Sequence, residues 1–101
     1  DMINNKFKAI VEANGFSVAK CRLVISSLDI YIPVRGEGCE NLVAIQQAAC
    51  DNAVSRYGFA GGHQFSTVGF GLQGDGTHYN ISGQISQGFA FYNYLKDYIN
   101  E

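Results

Sequence analysis

Hydrophobic positions along this chain recur on two periods, and the switches between them mark the predicted elements. Ile3, Phe7, Ile10 and Val11 recur at helical spacing and Asn14-Gly15 follows as a left-handed stop, which predicts an inward-packed amphipathic helix over residues 4–13. From Phe16 to Val34 the chain is rich in β-branched residues and the pattern shortens to alternation. Ala19, Cys21, Leu23 and Ile25 alternate with Lys20 and Arg22; Leu28, Ile30, Ile32 and Val34 alternate with Asp29, Tyr31, Pro33 and Arg35. Two strands broken near Ser26-Ser27 are expected, with Pro33 marking an edge or a last rung because it cannot donate to a ladder.

Arg35-Gly36-Glu37-Gly38 reads as a short link, and a helix is expected from Glu40 to Tyr57, ending at Gly58. Its stripe is Leu42, Ile45, Ala49 and Ala53, flanked by Val43, Cys50, Val54 and Tyr57. The small residues at its centre suit close approach to a sheet, and Phe59 takes the position of a hydrophobic capping contact. Phe59 to His63 reads as a loop.

The stretch Phe65–Ile85 alternates in two phases about Gln73-Gly74-Asp75-Gly76: Val68, Phe70 and Leu72 before it, then Tyr79, Ile81 and Ile85. Asp-Gly favours a two-residue turn, which predicts a β-hairpin pairing Leu72 with Tyr79, Phe70 with Ile81, Val68 with Gly83 and Ser66 with Ile85. The Phe70/Ile81 face is expected beneath the Glu40–Tyr57 helix. The other face carries Gly69 and Gly71 beside Ser82 and Asn80. A final helix of about ten residues is expected from Phe89, packed by Phe91, Leu95, Tyr98 and Ile99, with Tyr92 and Tyr94 off that stripe. The expected fold is a single α+β domain over residues 1–101: a four-stranded, mostly antiparallel sheet with helices packed on it, in the order α-β-β-α-β-β-α.

Length and charge narrow the function classes. A chain of 101 residues suits one core, and a net charge of −2 without a basic cluster argues against nucleic acid. No apolar run approaches a membrane span and the first ten residues lack the core of a signal peptide, so a cytoplasmic protein is expected. Asp1 before Met2 reads as a remnant ahead of an initiator methionine. Cys21, Cys39 and Cys50 are odd in number and lack C-x-x-C spacing, which suits free, buried thiols in a reducing compartment. Asn80-Ile81-Ser82 has the form of a glycosylation acceptor, without a secretion signal to support it.

Motifs for catalysis are sparse. Gly69-Phe-Gly-Leu-Gln-Gly74 spells G-x-G-x-x-G, but the residues after it alternate as a strand, so the dinucleotide reading fails; H-R-D and D-F-G are missing. Cys39, Cys50, His63 and His78 are separated by ten, twelve and fourteen residues, too widely for a structural zinc site. No metal or cofactor is expected.

The aromatics point elsewhere. Seven Phe and six Tyr occur in the chain, and Phe89, Tyr92, Tyr94 and Tyr98 crowd one predicted helix, so part of that ring surface should face a partner. The reading is a non-enzymatic protein acting through protein–protein contacts, with self-association into a homo-oligomer and a larger protein as partners. It extends by size and composition to an inhibitor or adaptor, such as the small anti-defence proteins of mobile elements. Its first rival is a small-molecule binder, for example of a nucleotide, using Gly69, Gly71, His78, Asn80 and Ser82 with Arg22, Arg35 or Arg56. Its second is an enzyme pairing Cys39 or Cys50 with a histidine.

Overall fold

A computed structural model describes residues 2–29 and 40–99, the last two and residue 40 by backbone alone. Helix α1 spans Met2–Ala13. Gly15 ends it at φ 80°, where the Gly15 and Phe16 amides donate to the carbonyls of Glu12 and Val11 at 3.0 Å each. A 3-10 turn, Val18–Lys20, leads into strand β1, Arg22–Ser26. Helix α2 runs Glu40–Ser55, strand β2 Gly61–Phe65, and helix α3 Ile81–Ile99.

The sheet corrects the expected architecture. Among the described residues it has two strands, and they are parallel, in register from Arg22 opposite Gly61 to Ser26 opposite Phe65. The described residues of this small α+β fold therefore form a β-α-β unit with one helix before it and one after. Neither the four-stranded, mostly antiparallel sheet nor the seven-element order is present among the described residues. The break at Ser26 is where alternation placed it, but Leu28 and Asp29 form a turn, and the rest of the expected second strand lies outside the described residues.

Paired residues of a parallel sheet share a side. Leu23 and Ile25 face α2 with Gly62 and Gln64; Val24, Ser26, His63 and Phe65 face α3. Val18, Leu23, Ala53 and Phe59 form the core, with Ile3, Val11, Cys21, Ile25 and Tyr57 packed around it. The contact face of α2 is Ala49, Cys50 and Ala53, while Leu42, Ile45 and Val54 are exposed. That helix covers β1 and β2, and the expected hairpin face beneath it is absent. Helix α1 leans on α2, with Asn4 buried and its Nδ2 donating to the Ala49 carbonyl at 2.8 Å. Only Ile3 and Val11 of its predicted stripe pack inward; Phe7 and Ile10 are exposed.

The predicted β-hairpin over Phe65–Ile85 is not formed. Leu72 and Tyr79 make one isolated antiparallel bridge, beside Gln73 N donating to His78 O (2.7 Å) and Asn80 N to Gly71 O (3.1 Å). Beyond this the pairing stops, because Asn80 starts a helix. Ile81 and Ile85 stand four apart, a spacing that satisfies both a two-residue and a 3.6-residue period.

Candidate functional site: the two faces of α3

Helix α3 is nineteen residues long, so it starts well before the predicted Phe89. Asn80 caps it: its Oδ1 accepts from Gly83 N at 2.8 Å and its Nδ2 donates to Leu72 O at 3.2 Å. The bridge at Leu72 is thereby tied to the first turn of the helix. Gly83 is buried against the Gly71 carbonyl, in space that a β-carbon would fill.

The inner face of α3 meets the sheet through aromatic rings. Phe91 stands edge-on to Phe65 at 4.9 Å and 89°, and Tyr94 stacks on His63 at 5.0 Å and 27°. Both geometries suit the ring quadrupole. Arg22 Nη1 donates to the Tyr94 carbonyl at 3.2 Å and Gln87 Nε2 to Ser26 Oγ at 2.9 Å, completing the attachment.

The outer face carries an apolar stripe that no element among the described residues covers. Ile81, Ile85, Phe89 and Tyr92 are 77%, 55%, 64% and 54% exposed. Ile85, Gly88, Phe89 and Tyr92 line a shallow groove of about 400 Å³. From Ile81 to Leu95 the helix carries no charged residue. A second apolar patch lies on α1, where Met2, Ile3, Phe7 and Ile10 line a groove with Lys6. Lys6 brings a charged side chain into that lining, whereas the α3 stripe carries none, and charge is disfavoured in the centre of an apolar interface.

Of the residues expected to form a protein interface, Phe89 and Tyr92 lie on the outer stripe. Tyr94 turns to the sheet, and the side chain of Tyr98 lies outside the description. Ile81 and Ile85, assigned by alternation to a buried hairpin face, are the other half of the stripe. Their signal was the continuation 81, 85, 89, 92 behind a capping Asn80.

The expected ligand residues are dispersed. Gly69 sits in a turn at φ 85°, and Ser82 is exposed in the first turn of α3. Gly71 and Asn80 do meet, with the Asn80 amide occupying the space above Gly71. His78 is exposed and pairs through Nδ1 with the Asp75 carboxylate.

A polar cluster that the sequence did not reveal closes the carboxyl ends of the strands. Asp29 accepts from Ser66 Oγ at 2.7 Å and from Thr67 N at 3.1 Å, and the buried Thr67 hydroxyl reaches both Asp29 and the Ser27 carbonyl. Burial raises the Asp29 pKa, but hydrogen bonds from Thr67, Ser66 and Ser27 outweigh it and hold the carboxyl below its ordinary value. The cluster staples the two strand ends together.

Cys50 is fully buried on α2, its thiol pKa pushed up by burial and then by Asp51, and the sheet separates it from His63 on the α3 side. Cys39 lies outside the described residues. No three His, Cys, Asp or Glu among the described residues gather to hold a metal ion, and none of the described helices is long and apolar enough to cross a membrane. Compared with protein-family models, curated proteins and solved structures, the chain matches none.

Proposed function

We propose that this protein is a small protein-binding module, without catalytic machinery of its own, that works by laying the outer face of α3 against an uncharged, apolar helical surface of another polypeptide. The observation that carries this is the stripe of Ile81, Ile85, Phe89 and Tyr92, each more than half exposed on a helix whose opposite face is anchored to the sheet. Isolated exposed apolar residues are ordinary; four in line on a rigid helix are a docking surface. We place the protein in the cytoplasm, where the free thiols of Cys21 and Cys50 stay reduced.

A photo-crosslinking side chain at Phe89, compared with the same group at the exposed Arg56 in the turn after α2, tests the reading in producing cells. Adducts to a polypeptide, this chain included, that form from position 89 and not from position 56 are expected. Equal labelling from both positions, or none from 89, contradicts it.

A further inference from the structure

We infer that the occupant of this face is a second copy of this chain, paired through antiparallel α3 helices so that Ile85 of each copy seats on Gly88 of the other and Ile81 on Tyr92. The inference rests on the protein-binding reading above. Ile81, Ile85, Gly88 and Tyr92 are spaced four, three and four, the seam of a helix pair. Gly88 is a gap in that seam: a β-carbon there would meet nothing within 4 Å. In a parallel pair each position meets itself, so glycine faces glycine and the seam holds a void. In the antiparallel pair the numbers of facing residues have a constant sum, and the sum that sets Ile81 on Tyr92 also sets Ile85 on Gly88. Large meets small, and each Ile85 fills the gap left by a Gly88.

The helix dipoles then oppose, and no charge is buried along the seam. Four large side chains, each more than half exposed, offer roughly 500 Å² per copy, so about 1,000 Å² in the pair, near the lower limit for a specific interface. The pair is therefore weak and concentration-dependent. Its symmetry is two-fold and closed, so association stops at the dimer.

The test mixes two single variants, Ile85→Cys and Gly88→Cys, under mild oxidation and maps the crosslinked peptides by mass spectrometry. The mixture is expected to give a dimer linked between positions 85 and 88, well above the self-crosslinking of either variant alone. Ile81→Cys mixed with Tyr92→Cys supplies a second, independent pair. In sedimentation equilibrium, Phe89→Asp should weaken self-association about thirtyfold or more. Self-crosslinks at position 85 or 88 that equal the mixed product overturn the antiparallel register. A chain that stays monomeric at its highest soluble concentration overturns self-pairing altogether. If position 89 still captures a different protein in cells, the binding-module reading stands without it; if it captures nothing, both fall.

Discussion

Gly62 lies so close to the main chain of Cys50 that a β-carbon on it would overlap the Cys50 carbonyl. The contact sets the distance between β2 and α2, and the small residues Ala49, Cys50 and Ala53 on the helix meet it from the other side. Gly62→Ala should therefore force strand and helix apart and destabilise the protein by about 1–3 kcal/mol, the usual cost of overpacking a core. Urea denaturation checks this. An unchanged midpoint would mean that the packing at this point is loose.

Asn80 serves α3 twice, as acceptor for Gly83 N and as donor to Leu72 O. Asn80→Ala should cost about 1–2 kcal/mol, since it removes a helix cap as well as the tie to the bridge. Asn80→Asp keeps the capping oxygen and loses the donor, so its loss should be smaller. Thermal melts of both variants, followed by far-UV circular dichroism, order the two effects.

Two carboxylates make stability depend on acid. Asp29 is held below its ordinary pKa of 3.8 by the hydroxyl cluster despite burial, and Asp75 is held at about 2 by His78, then by the Thr77 and His78 amides. A folded pKa below the unfolded one means that the unfolded chain binds more protons, so stability rises with pH through this window. The contribution is complete above about pH 4 and is lost as pH falls through the folded values, near 2 for Asp75. Asp29→Asn should flatten the dependence of the urea midpoint between about pH 5 and 2. Asp75 is exposed, so Asp75→Asn should have the smaller effect, and added salt should shrink it further.

Cys50 is inaccessible in the folded protein and its thiol is kept protonated by burial. Iodoacetamide should label it only as fast as the protein opens, and labelling should rise in step with unfolding in urea. Peptide mapping separates this site from Cys21. Rapid labelling of Cys50 in the native state would contradict its placement in the core.

The parts of this fold that were legible in the sequence are the ones decided by neighbours along the chain. Helix α1 and helix α2 were visible from their periodicity, and their stops at Gly15 and Gly58, at φ 80° and 77°, from glycine's freedom at positive φ. The β1 face of Leu23 and Ile25 was visible from alternation, and its break at Ser26 from the polar pair there, whereas Ala19, expected on the same strand, lies in the 3-10 turn before it. Where the pattern was ambiguous, tertiary structure chose. Ile81 and Ile85 fit a strand as well as a helix, and the Asn80 cap together with the close seat of Gly83 on Gly71 decided for the helix. Nothing local marks Gly61-Gly62-His63-Gln64-Phe65 as a strand. It becomes one because β1 supplies a parallel partner, and because glycine at position 62 admits the backbone of α2. The candidate interface divides in the same way. Exposed aromatic residues on the last helix were foreseeable from their number, since one helix has only one buried stripe. Which of them are exposed depended on where Phe65 and His63 stand to receive Phe91 and Tyr94, and a parallel partner across a crossover leaves no periodic trace in the residues that it positions.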